Sequence, residues 1–267
     1  MTVWLNGSLL DEAAARIDPS DRGLTLADGL FETLCLKGGK VRHLAAHLAR
    51  LRAGADCLGF QAPLPDKEIG QAMTALAKAK SLRDGALRLT LTRGPAPRGL
   101  LPPAQPHPTL LLTLAPAAPE PGPARAIIAT VTRRNEFSPA SRFKTLNVMD
   151  ALLARREAAA READDALLLN SQGRLAESSI ANLFVVIDGE VLTPPVADGA
   201  LPGVMRAQVI DRLSATVAAL NPADLAAASE AFLTNALGIR ALVAVDGHPI
   251  GGGHPGPVTT RLKGLVG

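Results

Sequence analysis

The chain reads as an α+β protein built from two α/β halves. Strand-like alternation, as in Ala86–Thr92, is interleaved with helical spacing, as in His43–Leu58. Residues 115–123 carry four prolines in nine positions, a stretch that can be neither helix nor central strand and reads as a stiff linker. Composition supports an ordinary core: 47% of the 267 residues are apolar and 20% charged. The expected organisation is an N-terminal domain over 1–115, a Pro-rich linker over 116–124, and a C-terminal domain over 125–267.

Val3–Leu5 and the run after Asn6-Gly7 predict a hairpin, because Asn-Gly tolerates the positive φ angles of a tight turn. Residues 18–23 read as a loop. Phe31–Leu36 alternates as a strand and stops at Gly38-Gly39. The spacing of Leu44, His47, Leu48, Leu51 and Ala55 predicts a helix from His43 to Leu58, and a second is expected over Asp66–Ser81. Ala86–Thr92 and Thr109–Leu114 predict two more strands. Beyond the linker, strands are expected at Ala126–Thr132 and Ala166–Leu169. The Ala, Leu, Arg and Glu content of Thr145–Ala163 predicts a long helix between them, with Lys144 just before its start. Asn182–Thr193 reads as a hairpin turned at Asp188-Gly189. Gly203 opens a helix, and Ala231–Thr234 and Ala241–Val245 complete the strands.

The net charge of +3 and 3% aromatic content lack the clustered charge and stacking rings that nucleic-acid binding wants. No stretch has the apolar length to span a membrane, and no N-terminal signal is visible. Cys35 and Cys57 sit in apolar sequence and are expected to be reduced core residues of a cytoplasmic protein. The five histidines show no metal-ligand spacing, so no metal is expected.

Lys144, within Ser141–Asn147, is the leading catalytic candidate. A lysine entering a buried site loses affinity for its proton and can form a Schiff base with an aldehyde cofactor such as pyridoxal phosphate. Glu177, beside Ser178 and Ser179 and ahead of an apolar strand, could face the ring nitrogen of that cofactor. Each has a plain alternative, Lys144 as a surface lysine and Glu177 as an exposed strand residue or cap. Gly203-Val-Met-Arg206 sets backbone N–H groups at a helix start, where phosphate binds, although most such junctions bind nothing. Thr234-Asn235 at a strand end suits backbone donation or a simple turn. Arg50 could pair with phosphate through its fork or face solvent. Arg93 and Arg98, in a stiff proline-bearing loop, suit carboxylate recognition or solvation about equally.

These segments, in this order, resemble the fold type IV, or class IV, pyridoxal-phosphate enzymes. That family holds branched-chain and D-amino-acid aminotransferases and 4-amino-4-deoxychorismate lyases. The resemblance rests on Asp21-Arg-Gly, Asp28-Gly-Leu-Phe-Glu32, His47-Leu-Ala-Arg-Leu51, Phe143-Lys-Thr-Leu-Asn147, Ala176–Phe184, Gly203-Val-Met-Arg206 and Thr234-Asn-Ala-Leu237. It implies a D-amino-acid-aminotransferase-like fold of two α/β domains, and pyridoxal 5'-phosphate held by Lys144. Glu177 would face the pyridine nitrogen and Arg50 would bind the phosphate, with Val204, Met205, Asn235 and Ala236 around it through backbone groups. It also implies a homodimer and a small amine or carboxylate substrate.

Three features resemble the lyases: Thr234-Asn-Ala-Leu237, Arg93-Gly-Pro-Ala-Pro-Arg-Gly99 and Arg133–Pro139. Phe31 stands where many family aminotransferases have tyrosine, and this chain has no tyrosine at all. The expected reaction is therefore conversion of 4-amino-4-deoxychorismate to 4-aminobenzoate and pyruvate, in folate biosynthesis, with Phe31, Arg93 and Arg98 at the substrate. The Phe143–Asn147 and Leu152–Glu157 segments look equally like D-amino-acid aminotransferases. A class IV aminotransferase acting on D-amino acids or branched-chain amino acids is the alternative.

Overall fold

The computed structural model describes residues 2–266, with side chains through 263, and forms two compact units. The first comprises Met1–Pro119 and Phe143–Asn147, the second Glu120–Arg142 and Val148–Gly267.

In the first unit the elements run β1 (Thr2–Leu5), β2 (Ser8–Asp11), α1 (Arg22–Leu26), β3 (Gly29–Lys37), β4 (Lys40–Val41), α2 (Leu44–Leu58), α3 (Asp66–Ala79), β5 (Gly85–Thr92) and β6 (Thr109–Pro116). One antiparallel sheet forms, in the order β2-β1-β6-β5-β3-β4. Its register explains the alternation seen in the sequence. Leu87, Leu89 and Leu91 on β5 stand opposite Leu114, Leu112 and Leu110 on β6, and Leu34 and Leu30 on β3 continue the rows. The period of two puts all of them on one face. There they pack with Leu48 and Leu51 of α2 and Ile69, Met73 and Leu76 of α3. The other face carries Phe31, Thr33, Arg88, Thr90 and Thr113.

The second unit runs β7 (Ala124–Ile128), α4 (Met149–Ala160), β8 (Asp165–Leu169), β9 (Leu175–Ser178), β10 (Asn182–Ile187), β11 (Glu190–Thr193), α5 (Val204–Leu213), β12 (Thr216–Val217), α6 (Asp224–Ala227), β13 (Glu230–Asn235), β14 (Gly238–Val245), β15 (His248–Pro249) and α7 (Pro257–Val266). Its mixed sheet has the order β12-β11-β10-β13-β14-β7-β8-β9, with β15 added to β14. Ala154 and Ala158 let α4 approach Ile127, Ala166 and Leu168. Phe184 and Phe232, opposite each other on β10 and β13, stack with centroids 5.0 Å apart and pack against Val209 of α5 and Leu262 of α7.

Several sequence expectations are corrected. Residues 145–148 are not helical, and α4 begins at Met149. The first half of β3 has a free edge, and residues 144–146 fill it: Phe31 N–H donates to the Lys144 carbonyl at 2.9 Å and Leu146 N–H to the Gly29 carbonyl at 3.0 Å. Lys144 therefore belongs with the first unit, not with the C-terminal half. The strand expected through Thr132 ends at Ile128, and the loop read over 18–23 holds the start of α1, where Asp21 caps the Gly23 N–H. Cys57 is exposed and Cys35 only half-buried; both are free, and neither is a core residue.

Candidate active site

In the first unit, the paired edge segment places the Lys144 side chain over the Phe31 ring, with Nζ 4.4 Å from the centroid. The Arg88 guanidinium also lies on that ring, at 3.9 Å. Two cations on one ring face the same region of the outer sheet surface, where anions are favoured. Arg88 was not singled out by sequence reasoning. Its strand reads simply as alternation, and only the β3–β5 register brings it beside Phe31; an arginine at an outward position of an apolar strand was the available signal.

Glu32 lies on the inward face, in the row of leucines, and is 1% exposed. Such a carboxylate needs partners. It has His47 Nδ1 at 2.7 Å, and Arg50 donates from Nε at 2.8 Å and from Nη2 at 2.6 Å. Both partners sit one turn apart on α2, so the helix delivers them together. Burial pushes the Glu32 carboxyl up, but the hydrogen bonds and charges of His47 and Arg50 outweigh it, and it is held below the usual carboxylate range. Arg50, expected to face a phosphate, thus has two of its nitrogens oriented by Glu32.

Arg93 has a different place from the one expected. It is buried, donates to Asp28 from Nε at 2.8 Å, and donates to the Leu58 carbonyl at 2.6 Å. Its fork is spent on tying α2 to the end of β5 and is not presented to a substrate. Arg98 is exposed and has no polar partner among the described residues.

In the second unit, β9 delivers Glu177, 9% exposed, into a set of donors. Arg134 Nη2 lies 3.1 Å from Oε1. Leu201 N–H donates to Oε2 at 3.0 Å and Asn182 Nδ2 at 3.3 Å. Arg134 also donates to the carbonyls of Gly199 and Ser141, so it fixes the loop as well as the carboxylate. Arg134 and Asn182 lie inside motifs read from the sequence, but their link to Glu177 depends on folding and was not legible.

Helix α5 begins at Val204 with Gly203 as N-cap and no side-chain cap. The N–H groups of Val204 and Met205 have no partner among the described residues, as expected of a first turn. Nearby polarity is also unspent: the buried Thr234 Oγ1, in register with Asn182, and the buried Arg206 Nε have no hydrogen-bond partner among the described residues. Burial pulls the Arg206 pKa down, and the Glu177 charge opposes it. Gly203 is tightly enclosed; a Cβ there would lie 2.0 Å from Asn182 Oδ1. Asn235 Oδ1 accepts from Leu237 N–H at 2.9 Å, forming the turn that leads through Ala236 into β14. An uncapped helix start with buried donors to spare fits a phosphate, and a carboxylate held by Arg134 fits a cationic ring nitrogen. No group of His, Cys, Asp or Glu among the described residues could hold a metal ion, and no helix is long and apolar enough to cross a membrane.

Known proteins are similar to this chain over nearly its whole length. A candidate branched-chain-amino-acid aminotransferase of Methanocaldococcus jannaschii is 33% identical over 98% of this chain and 94% of its own. The crystal structure of 4-amino-4-deoxychorismate lyase from Pseudomonas aeruginosa is 32% identical, covers 99% of this chain and 97% of its own, and superposes with a TM-score of 0.85. A branched-chain amino acid aminotransferase from T.th., complexed with N-(5'-phosphopyridoxyl)-L-glutamate, is 25% identical over 99% of this chain and 92% of its own, with a TM-score of 0.91. Residues 29–245 match the family described as amino-transferase class IV, and with four-fifths of its length so matched the chain belongs to that family.

Proposed function

We propose that this chain is a lyase converting 4-amino-4-deoxychorismate to 4-aminobenzoate and pyruvate. Its cofactor is pyridoxal 5'-phosphate. The observation that carries the proposal is the stack of Arg88 and Lys144 on the Phe31 ring. A flat apolar ring without a hydroxyl, beside a guanidinium and the candidate base, suits a carboxylated ring substrate.

When bound, the cofactor supplies an electron-withdrawing ring that accommodates negative charge next to the substrate amine. In the first unit, Lys144 Nζ would hold the cofactor and, once free, would take the proton from the amine-bearing carbon of the substrate. Arg50, oriented by Glu32, would contact the phosphate. In the second unit, Val204 and Met205 N–H groups, with the Asn235-Ala236 backbone, would hold the phosphate, and Glu177 would serve the ring nitrogen. Arg88, with Arg98, receives substrate carboxylate. Loss of the proton and cleavage of the enolpyruvyl C–O bond make the ring aromatic, and the released enolate takes up one proton at its methylene carbon to become pyruvate. The proposed assembly is a homodimer, and the proposed compartment is the cytoplasm.

Lys144→Ala is expected to lower turnover by about 10³-fold or more and to abolish borohydride-trapped cofactor on the protein. The deciding assay supplies 4-amino-4-deoxychorismate without any keto acid and follows 4-aminobenzoate over many turnovers. A branched-chain or D-amino-acid aminotransferase is the second reading, favoured by the 33% identity to the M. jannaschii protein. It gains if no product forms while leucine or D-alanine passes its amino group to 2-oxoglutarate.

A further inference from the structure

The loop from Pro95 to Pro108 is held in an unusual way. Pro97, Pro102, Pro103, Pro106 and Pro108 carry no N–H, so the segment can donate few hydrogen bonds of its own. Its backbone must be held through its carbonyls. Among the described residues, Arg22, only 5% exposed, is the side chain that does this. Nη1 donates to the Gly99 carbonyl at 2.9 Å and the Leu101 carbonyl at 3.4 Å, and Nη2 to the Leu100 carbonyl at 2.9 Å. Between Pro97 and Pro108 no other hydrogen bond ties the loop to its unit among the described residues.

The charge is balanced from behind. Arg22 Nε donates to Asp28 Oδ2 at 2.7 Å, and Arg93 Nε reaches the same oxygen at 2.8 Å. Burial raises the Asp28 carboxyl, but hydrogen bonds and charge from Arg93 and Arg22 prevail and hold it below the usual range. Asp28 therefore links the loop, the end of β5 and the C-terminus of α2 through two guanidinium groups.

A buried arginine is a costly way to secure a surface loop whose side chains point outward. Leu100 and Leu101 are 83% and 88% exposed, and Arg98 stands immediately before the three clamped carbonyls with no polar partner among the described residues. The clamp fixes the backbone while leaving these side chains unspent, which is what presentation to a ligand requires.

We infer that Arg22 is a positioning residue for substrate recognition, holding the Gly99–Leu101 backbone so that Arg98 meets a substrate carboxylate in one geometry. The inference rests on the proposed function in taking the substrate to be a carboxylate.

Two variants test it in the cofactor-loaded enzyme. Arg22→Lys keeps a charge on Asp28 but cannot span three carbonyls; Arg22→Gln removes the charge as well and serves as the second variant. Melting curves confirm that each is folded. Tryptic cleavage after Arg98 reads the loop without reference to activity, and is expected to rise about tenfold or more in Arg22→Lys. KM for 4-amino-4-deoxychorismate, or for leucine or D-alanine if those are the substrates, is expected to rise about fivefold or more with kcat within about twofold. In an Arg98→Ala background the same change should add nothing further to KM. Unchanged cleavage, unchanged KM, or full additivity with Arg98→Ala would each overturn the inference. If none of these substrates turns over, the proposed function fails by itself, and the cleavage comparison still decides whether Arg22 holds the loop.

Discussion

At the scale of single residues, Glu32 shows how a polar side chain can be built into a core. It occupies a position in the inward row of β3 where its neighbours Leu30 and Leu34 are leucine. Its burial is compensated by three hydrogen bonds from two side chains of α2. Such an arrangement adds little net stability over an apolar residue, yet removing one member leaves the others uncompensated. Glu32→Gln keeps the shape and takes away the charge facing Arg50. The expected cost is about 3 kcal/mol, read as a lower urea midpoint with an unchanged slope. Because Glu32 also orients Arg50, the same variant should bind pyridoxal phosphate more weakly, by a factor measurable in an absorbance titration. A variant with normal stability and normal cofactor affinity would remove Glu32 from both roles.

At the scale of elements, α5 and the edge segment 143–147 do most of the placing. Gly203 is the N-cap of α5 at φ −69°, a conformation open to any residue, so its requirement is space and not backbone freedom. A Cβ would press on Asn182 Oδ1, and Asn182 in turn donates to Glu177 and to the Leu201 carbonyl. Gly203→Ala is therefore expected to disturb Glu177 and the first turn of the helix together. Cofactor affinity should fall about tenfold or more, while the melting temperature moves only a few degrees. Equal affinity for the cofactor would show that the helix start does not hold the phosphate. Much of this level was legible beforehand: the spacing of α2 and α3 and the alternation of β3, β5 and β6 are local patterns, and local patterns survive in sequence. The misplacement of Lys144 has the opposite origin. Residues 145–148 carry nothing that forbids helix, and the helix starts only after them because the edge of β3, over a hundred residues earlier, takes the Lys144 carbonyl and the Leu146 N–H. Arg93 was misread for a similar reason, since its partner Asp28 lies 65 residues away. Motif order identified the family; a pairing distant in sequence decided that Arg93 is structural.

At the scale of the whole molecule, charge balance sets how the protein should respond to acid. At pH 7 the chain is close to neutral, at +3, with 28 Lys and Arg against 25 Asp and Glu. Protonating the carboxylates leaves those 28 cations and five histidines unopposed, so self-repulsion grows as pH falls. Asp28 and Glu32 add a specific contribution, because both are held below the ordinary carboxylate range in the folded state. A group whose folded pKa is depressed stabilises the fold fully above its unfolded pKa and stops doing so as pH falls through the folded value. Stability should therefore be nearly level from neutrality down to about pH 5, then drop through and below the ordinary carboxylate range near pH 4. Salt separates the two causes. About 0.5 M sodium chloride shortens the screening length to a few ångströms and should suppress the general repulsion, while the buried pairs keep most of their effect. The measurement is the urea midpoint against pH at low and high salt, for the unsubstituted protein and for Glu32→Gln. The acid drop should persist in salt and become shallower in Glu32→Gln; a drop that disappears in salt would assign the acid sensitivity to net charge alone.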